Sequence, residues 1–240
     1  VKPLPHASKD ARQISRHLIR MGGVPEENIS LLTDREASRN NILTELDNIK
    51  RNINSNDSVF VYFAGHGIPV EEESSDERQA YLLPYRGNLN NPEISALNLD
   101  KLKAKLDKMQ SKKVMLAMDC CFSGGGRSAT PPGRAGLITV ENPLEKKSKS
   151  GRVVLSACGP NQTSHDFEKK GHGLFTYYLL LGMRGAGDKN NDGKVDVGEL
   201  FPYVEKKVVH KARELGYKQN PKANGLKEDI VLTHSMNIKQ

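Results

Sequence analysis

Apolar residues recur along this chain in two rhythms. In "SKDARQISRHLIRMGG" they fall at Ala11, Ile14, Leu18 and Met21, the three-to-four spacing that keeps one helix face apolar. Ser8 stands where a cap is expected, and Gly22-Gly23 where the helix should stop. The stretch "SRNNILTELDNIKRNI" repeats the rhythm at Ile42, Leu46, Ile49 and Ile53 and predicts a second amphipathic helix. Between the two, "NISLLTD" reads as a short strand. The other rhythm is an unbroken apolar run, seen in "DSVFVYFAGHG", "KVMLAMD" and "RVVLSAC". Such runs suit strands covered on both faces, as in a parallel sheet. "LDKLKAKLDKM", "GLFTYYLLLGMRG" and "VGELFPYVEKKVVHKAREL" supply further helices, with Pro202 removing one backbone hydrogen bond near the start of the last. "IPVEEESSDERQ" reads as a charged loop before the apolar "AYLLPY", and the Gly, Pro, Lys and Arg-rich stretch from Gly124 to Arg152 as a long one. The alternation predicts one α/β domain over 1–240: a mostly parallel central sheet with helices on both faces, in three layers.

Charge changes this picture little. The 240 residues carry a formal net charge of +7, which raises the question of a nucleic-acid partner. The basic residues are scattered, however, and aromatics make up only 5%, so none is expected. No run approaches the roughly 18 apolar residues of a membrane span, and "VKPLPHASKDAR" lacks the apolar block of a secretory signal. With 3 Cys, two of them adjacent, a disulfide framework is a poor fit. The expectation is a soluble protein, with the cytoplasm favoured and no membrane partner.

Candidate chemistry sits where strands end, since open parallel sheets bind ligands beyond their carboxyl edges. His66 follows "VFVYFAG" and Cys121 follows "MLAMDC". A thiol needs a nearby imidazole to become a nucleophile at neutral pH. Acyl transfer also needs donors for the developing oxyanion, and the amides of Gly67 and Cys121 are the candidates. Gly65 and Gly67, around His66, suggest a tight turn. Separately, "DKNNDGKVDVGE" carries Asp188, Asn190, Asp192, Gly193 and Glu199 at the spacing of an EF-hand calcium loop. Lys194 would contribute its carbonyl and Asp196 a bridging water, so calcium is the expected ion.

"YFAGHG" and "DCCFSGG" resemble the His and Cys motifs of the caspase-like clan of cysteine peptidases, nearest its metacaspase and prokaryotic branch. Cys121 lies 55 positions after His66 (121 − 66), close to the spacing of about 50 in caspases. "SACGPNQTSHD" and "AYLLPY" extend the likeness over most of the chain. The resemblance implies a three-layer caspase-like fold and a large-subunit-like part over about 1–126. It further implies a linker over about 127–151, open to self-cleavage at its Arg and Lys residues or at Arg152, and a small-subunit-like part from about 152 to 240. It makes Cys121 the nucleophile, His66 its partner and Cys120 a buried neighbour. It also implies that Asp119 and Asp10, with Asp166 as a weaker candidate, receive a substrate Arg or Lys, so the expected partners are proteins or peptides carrying those residues. Family members begin with a central strand absent from "VKPLPHA"; three sources stay open, namely an upstream segment, a strand removed by proteolysis, or a partner chain. Two rival readings are an inactive caspase-like interaction module and a calcium-responsive regulatory domain.

Overall fold

The computed structural model describes residues 4–71, 78–120, 122, 150–159, 162–226 and 230–234. The first helix, α1 (Ala7–Arg20), and the second, α2 (Arg39–Asn52), form where the apolar spacing places them. Ser38 caps α2 by accepting the Asn41 amide. Ser8 does not cap α1; it lies inside the helix and donates to Asp34 Oδ1 at 2.6 Å.

Three of the apolar runs become neighbouring parallel strands: β1 (Ser58–Ala64), β5 (Lys113–Asp119) and β6 (Arg152–Ser156). The short β10 (Lys222–Asn224) adds an antiparallel edge, giving the order β1-β5-β6-β10. Side chains alternate across the pleat, so β5 feeds two cores. Met115 and Ala117 join Ile14, Leu18, Phe175, Leu179 and Val204, from α1, α5 (Leu174–Leu181) and α6 (Val197–Glu214). Val114, Leu116 and Met118 join Leu46, Leu102 and Leu106, from α2 and α4 (Leu99–Asp107). The expected α/β architecture, with helices on both faces of a mostly parallel sheet, is what these contacts build.

Two expectations need correction. "NISLLTD" is extended at Ile29 and Thr33 but pairs with no strand among the described residues. It lines one wall of a cleft of about 440 Å³ that β1 also lines; among the described residues β1 is the sheet's edge, and its residues from Phe60 to Ala64 are only half-buried. The charged loop after His66 begins as a strand, β2 (His66–Glu71), which pairs antiparallel with β3 (Arg78–Leu83); β3 in turn pairs with β4 (Leu97–Asn98), just after the one-turn α3 (Pro92–Ser95). Pro69 is tolerated because β2 is an edge strand of that small sheet. The remaining pairs are β7 (Asp166–Phe167) with β8 (His172–Gly173), and β9 (Lys194–Asp196) with β11 (Val231–His234).

His17 lies buried on the inner side of α1, its Nε2 without a hydrogen bond. Burial, with the Arg184 charge nearby, lowers its pKa from 6.5 to about 4. Between those values the unfolded chain takes up a proton that the folded chain refuses, so stability falls as pH drops from about 6.5 towards 4. Urea midpoints measured across this window are expected to decline with acid, and less steeply in His17→Gln. An unchanged slope in that variant would remove His17 from the account.

Candidate active site

The register of β1 on β5 runs without a break to the pair Ala64–Asp119. One residue further, the Gly65 amide donates to the Asp119 carbonyl at 3.4 Å. The strands therefore end level, and His66 opens β2 immediately beyond, 93% buried. Glycine at 65 answers to space: a Cβ there would stand 2.5 Å from Phe63 Cζ. Gly67, the candidate oxyanion donor, follows His66 within β2 opposite Leu82, so the pair belongs to a strand and not to the expected tight turn. Cys121 itself lies outside the described residues, as does nearly all of the predicted linker. Its chain neighbours Cys120 and Phe122 are buried. Arg152, counted among the linker's cleavage points, is instead the buried first residue of β6, donating to the carbonyls of Ser111 and Met109.

The three acidic candidates converge on one short stretch, Gly173–Thr176, at the N-terminus of α5. Asp10 Oδ2 accepts the Gly173 amide at 2.9 Å, Asp119 Oδ2 accepts the Thr176 amide at 3.3 Å, and Asp166 is the β7 partner of Gly173. Asp10 and Asp119 have no exposed surface at all. The positive end of the helix backbone offsets part of what their burial costs. Asp10 also meets His172 Nδ1 at 2.5 Å. Burial, helped by Lys9, His6 and Arg184, lowers the His172 pKa to about 4, so at neutral pH the neutral ring donates its Nδ1–H to Asp10. Asp119 is held further by two hydroxyls, Ser164 Oγ at 2.7 Å and Thr176 Oγ1 at 2.6 Å.

Sequence reasoning singled out neither of those hydroxyls. Ser164 sits in the quoted "SACGPNQTSHD" without a stated role. Thr176 gave a usable signal: it interrupts the apolar run of "GLFTYYLLL", and a hydroxyl inside a buried helix needs a partner.

The profile of the caspase domain family matches residues 1–228. The chain belongs to the caspase family. A search of curated proteins finds no match. The family's chemistry is that of cysteine-type peptidases acting on protein substrates, and the mostly parallel sheet with helices on both faces is consistent with the caspase-like fold. Among the described residues no helix is long and apolar enough to cross a membrane.

In this caspase-family chain the stretch expected to bind calcium, 188–199, forms a run of side-chain-to-backbone turns. Asp188 Oδ2 accepts the Gly193 amide, Asn190 Oδ1 that of Asp192, and Asp192 Oδ1 that of Lys194. Gly193 has φ 81°, the left-handed backbone that favours glycine. Glu199 Oε1 accepts the amides of Lys189 and Asn190, while Asp196 caps α6 through the Glu199 amide. Lys194 and Asp196 are committed to β9. Among the described residues no three His, Cys, Asp or Glu side chains form a cluster; in this conformation the carboxylate or amide oxygens of Asp188, Asn190, Asp192 and Glu199 each accept loop amides.

Replacing Asp10 by Ala would leave the Gly173 amide and the His172 ring without their buried acceptor. The expected loss is about 3 kcal/mol of stability by urea unfolding at pH 7. A loss under about 1 kcal/mol would mean that the carboxylate does not hold the β7–β8 hairpin to α1.

Proposed function

We propose that the chain is a cysteine endopeptidase of the metacaspase-like branch that cuts after Arg, with Lys second. The observation that carries this reading is the common end of β1 and β5, where His66 follows one strand and Cys121 is the second residue after the other. His66 takes the thiol proton as the Cys121 sulfur attacks the carbonyl carbon of the scissile bond. The amides of Gly67 and Cys121 receive the oxyanion. The tetrahedral adduct collapses, the C–N bond breaks, and the imidazolium gives its proton to the leaving amine. A thioester remains. His66 then deprotonates a water that attacks the same carbonyl, and the carboxylate product leaves as the thiolate returns.

The preference for a basic side chain is supported by the carboxylates of Asp10 and Asp119 at Gly173–Thr176, with Asp166 paired to Gly173 through the backbone of β7. The Asp10 and Asp119 carboxylates are both fully buried against the start of one helix. A guanidinium is the group such a site attracts most strongly. Self-processing belongs to the same reading, at the Arg and Lys residues before Arg152. Arg152 itself is excluded as a cleavage point by its burial in β6.

Peptides ending in Arg, Lys and Asp separate this reading from its rivals. Arg and Lys peptides are expected to be hydrolysed and the Asp peptide left intact, with Cys121→Ala and His66→Ala each reducing turnover by about a thousandfold or more. An inert wild type would favour the interaction-module reading, and Asp cleavage would reverse the specificity assignment.

Calcium at the 188–199 loop is a second, separable proposal. Binding would require Glu199 to leave the amides of Lys189 and Asn190 and join Asp188, Asn190 and Asp192 on the cation. No catalytic step passes through this loop. Calcium at about a hundred times its dissociation constant is expected to stabilise the fold by about 2.7 kcal/mol, read as a rise in Tm that chelator and Asp188→Ala both remove. A Tm indifferent to calcium would leave the loop as a turn.

A further inference from the structure

We propose that Thr176 is a positioning residue for substrate recognition, the middle link of a buried hydrogen-bond chain that fixes the Asp119 carboxylate. The proposal rests on the reading of Asp119 as a receiver of the substrate's basic side chain. Asp119, Ser164 and Thr176 have no exposed surface, so each of their polar atoms needs a partner inside the protein. An ionised carboxylate only accepts. The one hydroxyl proton of Thr176 therefore goes to Asp119 Oδ2, at 2.6 Å. With that proton committed, the Tyr62 hydroxyl, 2.6 Å from Thr176 Oγ1, must be the donor to it. The chain has one direction: Tyr62 O–H to Thr176, Thr176 O–H to Asp119. The Thr176 amide adds a second bond to Oδ2, and Ser164 Oγ donates to Oδ1 at 2.7 Å.

Four separate elements meet in this cluster. Tyr62 lies on β1, four residues before His66; Asp119 closes β5, two residues before Cys121; Thr176 is in the first turn of α5; Ser164 is in the segment that leads into β7. Both carboxylate oxygens are gripped by groups from different elements, so the plane of the carboxylate cannot rotate to suit a ligand. A fixed carboxylate can recognise a guanidinium without first losing rotational freedom. Thr176 does this through its hydroxyl, and its amide alone cannot relay the Tyr62 donor.

The test uses the full chain and two peptides that differ only in the residue before the cut, Arg or its uncharged analogue citrulline. Thr176→Val keeps shape and amide but deletes the hydroxyl. It is expected to raise KM for the Arg peptide about tenfold with kcat near wild type, to leave citrulline kcat/KM unchanged, and so to cut the Arg preference about tenfold. Thr176→Ser should restore that preference, because it restores the relay. Tyr62→Phe, which keeps the Thr176–Asp119 bond, should lower the preference less and in the same direction. This variant keeps the test open if Thr176→Val fails to fold. Equal losses on both peptides, or no recovery in Thr176→Ser, would overturn the positioning role. Asp119→Asn separates the two layers: full Arg preference in that variant means the pocket reading has failed. Loss of preference there, with preference retained in Thr176→Val, means the positioning role alone has failed.

Discussion

The parallel register of β1 on β5 is the constraint on which the rest of this structure depends. Because Ala64 lies opposite Asp119, both strands leave the sheet at one level, and the chain beyond each enters the same corner of the molecule. A slip of one residue would turn every side chain of β1 to the opposite face of the sheet. Met115 and Ala117 pack with α1, α5 and α6, while Val114, Leu116 and Met118 pack with α2 and α4. The two cores thus fix the register, and the register fixes where chemistry can occur.

The second constraint is electrostatic. Asp10 and Asp119 are both fully buried, and both accept amides at the start of α5. Neither is tolerable alone in an apolar interior. The helix amides, the His172 ring and the hydroxyls of Ser164 and Thr176 make them so. The same bonds tie α1, β5 and β8 to one helix end, so residues implied as substrate contacts also hold the fold together. Substitutions at these positions will mix stability with specificity, which is why substrate preference is more informative there than total activity.

Much of this was legible in the sequence because the signal was periodic. The runs that became β1, β5 and β6 and the spacing of α1 and α2 depend only on which face must be covered. The sheet β2-β3-β4 was hidden because charge and Pro69 make β2 look like loop, whereas its pairing comes from β3, some ten residues further along. "NISLLTD" has the composition of a strand but finds no strand beside it among the described residues, and composition carries no information about a neighbour. At the site, His66 and the acidic candidates were named from motif and resemblance. The convergence on Gly173–Thr176 was not visible there, because it joins Asp10 to a residue 163 positions away and Asp119 to one 57 positions away. Arg152 misled for a similar reason: a basic residue at the end of a basic stretch looks solvated until its carbonyl partners are known.

The central claim is that the imidazole of His66 and the sulfur of Cys121 meet beyond the shared end of β1 and β5. The rate of Cys121 alkylation by iodoacetamide, followed across pH with peptide mapping, tests it most directly. If they meet, wild type reacts through a thiolate that persists well below the ordinary thiol range near pH 8.5, and His66→Ala moves the profile up towards that range. Superimposable profiles for the two proteins would show that the imidazole does not act on the sulfur, and the account would fall.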